Sequence, residues 1–323
     1  MSTTVDISLT DCITIDIISA EKITILHCED CTKLLTIPDI LVNLKHLYCK
    51  GTYLRTIPTL INLTLLNVGR CISLTAIPTL PNLISLNCWG CTSLTNIPTL
   101  PNLNSLNCWG CTSLTSIPNT LTLLKSLNCG GWVCLIDSIP NTLTLLEKLN
   151  YEGCERLTTI PTLSNLVELK IKACPGLTTI PTLVNLIELD CQRCTNLTTI
   201  STLPNLMSLN CWGCTSLSVI PDTLTRLRTL YCENCTSLVS IPLYHIERFN
   251  CSGCLWLEKC IGRIEMNIKK KLLCKTQRIS KKWLKNFKRI RTQNRQSNFV
   301  DELTEIAWNP DRLKWLGFEK YLS

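Results

Sequence analysis

The chain has 323 residues, 45% of them hydrophobic and 17% charged, a balance that excludes a disordered or strongly solvating polymer. No uninterrupted apolar run approaches the roughly 18–20 residues that a membrane span needs. Met1–Thr10 lacks the basic region and apolar stretch of a signal peptide, which points to an intracellular, cytoplasmic setting, although 23 cysteines are many for a reducing compartment and the formal net charge is +8.

From the N-terminus onward one pattern dominates. The dipeptide Ile-Pro recurs with Ile at 37, 57, 77, 97, 117, 139, 160, 180, 220 and 241, and Ile200-Ser201 fills the one gap. The step is about 20 residues, a period that belongs to solenoids and other repeat arrays. It is longest between Ile117 and Ile139. Degenerate flanking copies end at Ile17 and Cys260, so an array of about twelve repeats covers residues 1–260. Small slips in the period near Ile57 and Ile139 predict local disturbances of register.

One unit reads Leu103-x-x-Leu106-x-Cys108-x-x-Cys111-x-x-Leu114-x-x-Ile117-Pro118. This resembles the leucine-rich repeat in a short form that ends in a Leu/Ile-Pro step. Short repeats of this kind are similar to those of bacterial secreted effectors, and the Cys-x-x-Leu step is similar to plant resistance-protein repeats. The Cys-rich wording Asn107-Cys-Trp-Gly-Cys-Thr-Ser-Leu114 most resembles leucine-rich repeat proteins of giant DNA viruses (mimivirus-like). The resemblance implies a curved solenoid with a parallel β-sheet on its concave face, which is the usual binding surface, and an extended convex side.

The residues support the same architecture. In Ser105–Trp109, Leu106 and Cys108 point to one face of a short strand, and Ser105, Asn107 and Trp109 to the other. No single unit can bury Leu103, Leu106, Leu114 and Ile117, so the units must stack into one continuous core. Proline after each Ile cannot donate to a ladder, which makes the return path extended and not helical.

Seven Cys-x-x-Cys pairs occur, at 28/31, 88/91, 108/111, 191/194, 211/214, 232/235 and 251/254. Cys88-x2-Cys91-x16-Cys108-x2-Cys111 has a zinc-like spacing. The repeat explains it without metal. The first cysteine takes the apolar slot that Val68, Tyr151 and Ile171 fill elsewhere. The second takes the slot in which a short polar side chain satisfies backbone groups of the turn. A metal or functional disulfides are the alternatives; no metal, cofactor or catalytic residue is assigned.

The outward columns are the candidate working surface. Asn67, Asn87, Asn107, Asn128, Asn150, Asn210 and Asn250 form one, and Trp89, Trp109 and Trp212 stand in the next. In the middle Lys148, Glu152, Glu168, Lys170, Lys172, Glu188, Asp190, Gln192 and Arg193 replace that pattern, and His27, His46, Tyr48, Tyr231, Glu233 and Arg248 lie near the ends. Exposed indoles on a rigid sheet suit interface anchors. The set expected to meet a partner is Trp89, Trp109, Trp212, Asn87, Asn107, Asn210, Lys170, Glu188 and Asp190. Against it stand a self-satisfying Asn ladder, indoles copied by duplication, and an ordinary solvated charged stretch.

Composition changes after Cys260. Residues 261–323 hold 16 Lys and Arg against 6 Asp and Glu, a net +10, which leaves the repeats at −2. Ile279, Trp283, Phe287 and Ile290 recur at helical spacing, surrounded by Lys281, Lys282, Lys285, Lys288, Arg289 and Arg291. Such a basic helical segment can bind nucleic acid, an anionic membrane or a calmodulin-like partner, or cap the open end of the solenoid. Phe299–Trp315 resembles a short C-terminal segment of giant-virus repeat proteins, with Asn309 where the usual form has His in Trp-His-Pro.

The sequence therefore predicts a non-enzymatic protein–protein interaction scaffold that binds a partner, from the host if the viral resemblance holds, on the concave face. The alternative is nucleic-acid or anionic-membrane attachment through the basic tail. A third reading, a ubiquitin-ligase-like effector acting through Cys274, lacks a base and an orienting group beside the thiol.

Overall fold

A computed structural model describes residues 3–6, 17–131, 135–239, 241 and 246–254. The basic tail, with Lys281, Lys282, Lys285, Lys288 and Arg289, and Cys274 lie outside the described residues, as does the expected C-terminal helix.

The chain begins with β1 (Thr3–Asp6), a 3-10 turn at Ile17–Lys22 and β2 (Ile23–His27). Short strands then recur: β3 (His46–Tyr48), β4 (Leu65–Asn67), β5 (Ser85–Asn87), β6 (Ser105–Asn107), β7 (Ser126–Asn128), β8 (Lys148–Asn150) and β9 (Glu168–Lys170). After them come β10 (Thr179–Ile180), β11 (Glu188–Asp190), β12 (Thr199–Ile200), β13 (Ser208–Asn210), β14 (Thr229–Tyr231) and β15 (Arg248–Asn250). All but β10 and β12 form one 13-stranded parallel sheet, one strand more than a dozen repeats would supply.

The pairing follows from the central leucine of each strand. Leu47, Leu66, Leu86, Leu106, Leu127, Leu149, Leu169, Leu189, Leu209 and Leu230 stand opposite one another in turn and are at most 2% exposed. Side chains alternate along a strand, so a one-residue slip would turn this whole row outward; burial of the row fixes the register.

The expected register disturbances at the two slips do not occur. His46 pairs with Leu65 across the short step, and Ser126 pairs with Lys148 across the long one, each in regular parallel register. Length differences are absorbed in the turn and return path, where no leucine row is at stake. In the long repeat the turn residue Gly131 opens to φ +144°, and Tyr151, fully buried in the usual Cys/Val/Ile slot, donates its hydroxyl to the Ile136 carbonyl at 2.8 Å.

Each strand ends in the same turn. The residue just before the second Cys position has positive φ in twelve successive repeats, from Asp30 to Gly253. Seven of these are glycines, and Asp30, Arg70, Ala173, Arg193 and Asn234 adopt the same conformation at a cost. The turn also brings the second thiol back onto the array. Cys71, Cys91, Cys111, Cys174, Cys194, Cys214, Cys235 and Cys254 each donate to the carbonyl of the inward residue one repeat earlier, at 2.9–3.1 Å. Thr52 fills this slot once, and its hydroxyl donates to the Cys49 carbonyl of its own repeat at 2.8 Å instead of reaching back one repeat. Among the described residues, no group of three or more potential ligands is arranged to hold a metal.

The return path holds no helix between β2 and β15 among the described residues. Two of its features have no counterpart in the sequence reading. β10 and β12 pair as a second, two-stranded sheet. The Ser201 N–H donates to the Ile180 carbonyl at 3.0 Å, in the one repeat where serine replaces proline. Where proline stands this donor is missing. The other feature is a flank column: Asn43, Asn62, Asn82, Asn102, Asn165, Asn185 and Asn205 each donate Nδ2 to a carbonyl of the preceding repeat at 2.8–2.9 Å.

The turn and its thiols can each be tested. Ala173→Gly removes a left-handed alanine and should stabilise the array by about 1 kcal/mol, whereas Gly110→Ala (φ +70°) should destabilise it by about the same amount, both read from urea unfolding. Nineteen described cysteines are buried, so native iodoacetamide labelling read by mass spectrometry should leave these unmodified until guanidinium unfolds the chain.

Candidate functional site

The outward face of the sheet carries three columns that differ from repeat to repeat, while the inward leucine row does not vary from β2 to β14. Five asparagines of the middle column have a local task. Asn67, Asn87, Asn107, Asn210 and Asn250 accept at Oδ1 from the backbone N–H two residues on, at 3.2–3.3 Å. They stabilise the strand-to-turn step of their own repeat and do not form a mutual ladder. Each keeps its amide NH2 for other contacts. Asn128 and Asn150 depart from this, with Oδ1 buried and unpartnered.

The indoles are half-buried, not exposed as the sequence suggested. Trp89 lies over Gly69 of the preceding repeat, where any side chain would collide with the ring. Arg70 stands over the Trp89 ring at 5.9 Å from its centroid, and Arg193 over Trp212 at 4.5 Å. Trp89 and Trp109 follow the adjacent strands β5 and β6, but Trp212 follows β13, five strand steps beyond β6 and on the order of 24 Å away. The three do not form one patch.

Between them lies the charged stretch, paired largely with itself. Lys148 meets Glu168 at 3.6 Å, Lys170 bonds Glu168, and Lys172 meets Asp190 at 3.3 Å. Asp190, 8% exposed, also accepts from the Gln192 side chain at 3.2 Å. Glu188 remains exposed. The hydrogen bond from Lys170 is the main cause that holds the Glu168 carboxyl below the usual carboxylate range, and the same bond raises Lys170. At the N-terminal end His27 stacks on Tyr48 with ring centroids 4.4 Å apart, and His46 meets the same ring edge-on at 6.5 Å.

Two other features are weaker candidates. An open groove of about 560 Å³ lies on the flank, lined by Lys45, Thr64, Ile84, Asn104 and Leu123 among others. The amides of Asn62, Asn82 and Asn102 in its wall are already bonded to the chain. In the core, hydrogen bonds from Cys49 and from Thr52 lower the Cys71 thiol to about 7, yet Cys71 has no exposed surface through which to react.

Solved structures similar to this chain include the leucine-rich repeat domain of the type III effector XopL, at 23% identity over 64% of this chain and 76% of that one, with a TM-score of 0.45. YopM from Yersinia enterocolitica aligns at 19% identity over 72% of this chain and 60% of its own, with a TM-score of 0.47. A leucine-rich repeat protein of Leptospira interrogans aligns at 20% identity over 76% and 73%, with a TM-score of 0.40. One short strand per repeat of about 20 residues, a continuous buried leucine row and an extended return path make the fold a leucine-rich repeat solenoid. No family model matches the sequence, and no curated protein matches it.

The charge network predicts an acid-sensitive stability. A carboxyl lowered on folding contributes stability above its unfolded pKa and loses it as the pH falls through the folded one. The urea midpoint should therefore decline from about pH 4 downward, the range of an ordinary glutamate, and Glu168→Gln should flatten that decline. Lys170, shifted upward, contributes below its unfolded pKa and loses its part as the pH rises through the folded one.

Proposed function

We propose that this solenoid is a non-enzymatic scaffold that binds a protein partner on the strand face. The observation that carries the reading is the division of labour along the array. The inward row is leucine in every strand of the large sheet from β2 to β14, whereas the outward columns change from aromatic to neutral with indoles, then to charged, and back. A rigid, in-register sheet that varies only on its outer side has the form of a recognition surface. Trp89 and Trp109, each half-buried and adjacent, supply the anchor; Asn87, Asn107 and Asn210 supply amide donors; Lys170, Glu188 and Asp190 lie in a charged zone that favours a matching charge pattern. The Cys-rich wording supports a place among repeat proteins of giant viruses, with a host-cell protein as the partner and the host cytoplasm as the setting.

A second reading rests on charge segregation. Residues 261–323 carry a net +10 beside repeats at −2, which suits attachment to nucleic acid or an anionic membrane through Lys281, Lys282, Lys285, Lys288 and Arg289. Ile246 and Phe249 at the last strand are only partly buried, while Leu227 and Leu230 one repeat earlier are covered, which favours a capping role for the segment that follows.

A photo-crosslinking residue at Ser105, on the strand face, should capture a discrete protein, whereas the same residue at Thr99, on the return path, should not. Loss of that crosslink on Trp109→Ala, with the circular dichroism spectrum unchanged, is the expected result. Equal capture from both positions, abolished by high salt, would transfer the function to the tail.

A further inference from the structure

We propose that the pairs Arg70–Trp89 and Arg193–Trp212 are two equivalent carboxylate-recognition points, and that the partner presents an acidic protein segment to them. This rests on the strand-face scaffold reading and names the chemistry of its ligand.

The two pairs are built alike. In each, arginine occupies the left-handed turn slot of one repeat, with φ of 59° and 57°, and tryptophan stands in the outward position just after the next strand. Glycine fills that slot in seven repeats, so arginine is held there against the local backbone preference. Asp30, Ala173 and Asn234 share that backbone conformation, so the strain alone marks nothing; what distinguishes the two arginines is that each lies over the indole of the next repeat. Trp109 supplies the contrast: the turn slot of the repeat before it is Gly90, and no cation covers its ring.

The stacking also leaves the recognising edge free. A guanidinium that lies over an indole uses its face, while its N–H fork stays directed outward. Both arginines are exposed, and neither has an ion-pair or hydrogen-bond acceptor among the described residues. This distinguishes them from Lys148, Lys170 and Lys172, which the charged centre already pairs. A planar fork with an ordered base is preorganised for bidentate binding of a carboxylate.

The surroundings favour a protein over a nucleic acid. A continuous polyphosphate running from one point to the other would cross a centre whose lysines Lys148, Lys170 and Lys172 are already paired with Glu168 and Asp190, with Glu152 and Glu188 beside them, on an array of net charge −2. Two discrete acidic positions avoid that repulsion. Trp89 and Trp212 are six strand steps apart, on the order of 29 Å, which an extended peptide spans in about nine residues.

The test is selection of a random 16-residue peptide phage library on the full chain. The selected peptides are then measured by fluorescence anisotropy against the intact chain, Arg70→Gln/Arg193→Gln, Arg70→Lys/Arg193→Lys, Trp109→Ala, and a tail variant with Lys281, Lys282, Lys285, Lys288 and Arg289 changed to Gln. The expected peptides carry Asp or Glu at two positions about nine residues apart. They should lose about tenfold or more in affinity with both the Gln and the Lys variants, since lysine keeps the charge but not the fork, and should be unaffected by the tail variant. Unchanged melting temperatures of the arginine variants exclude unfolding as the cause. Peptides that depend on Trp109 but not on either arginine would overturn this inference and leave the scaffold standing. Acidic peptides lost only with the tail variant would overturn it as well, and a library that yields no strand-face binder would remove both. A 20-nucleotide single-stranded DNA that binds through the two arginines, in the absence of acidic peptides, would replace carboxylate with phosphate and overturn it too.

Discussion

The structure depends on a constraint of burial: a single repeat is too short to cover its own leucines. Each strand of the large sheet from β2 to β14 presents one leucine inward, and that side chain is dry only when the repeats on both sides are in place. From this come the parallel sheet, its regular register and its indifference to repeat length. The longest repeat, around Gly131, keeps Leu127 and Leu149 opposite each other because losing that contact would unseat a row at most 2% exposed. The extra length lies between the strands, and the hydroxyl of buried Tyr151 in the next repeat donates to the Ile136 carbonyl of that connection.

A second constraint shapes the chain after each strand. The backbone must reverse within a short turn, which requires the left-handed conformation, and the carbonyls at the strand end still need donors inside the core. The thiol is small enough to be buried there and polar enough to donate. This accounts for a cysteine-rich protein whose described cysteines need no disulfide or metal to explain them. Thr52, the one hydroxyl in this slot, is also buried and also donates to a carbonyl, in its case that of Cys49 in its own repeat.

With the inward leucine row so restricted, variation falls on the strand face and the turn slot beside it, and there the side chains divide into those with a structural task and those without. Most of the Asn column closes its own turns. The charged centre satisfies itself through Glu168 and Asp190. Groups of that face without an internal ion pair among the described residues include exposed Glu188 and the two arginines laid over rings, beside two adjacent indoles and the amide NH2 groups. A partner that meets those groups displaces little internal bonding.

Much of this was legible in the sequence. The Ile-Pro spacing determined the repeat, the alternation within Ser105–Trp109 determined which side chains face inward, and proline determined an extended return path, all because these are consequences of local geometry and of burial that every repeat shares. The sequence also showed the Trp and Asn columns, but not their state. Only the tertiary structure decided that Asn107 closes its own turn, that Trp89 rests on Gly69, that Lys170 and Asp190 are already paired, and that Arg70 and Arg193 lie over indoles. Those facts depend on which residue of one repeat stands beside which residue of the next, a relation that repeat spacing predicts only for the strand and that turn conformation alone sets for the residues beyond it.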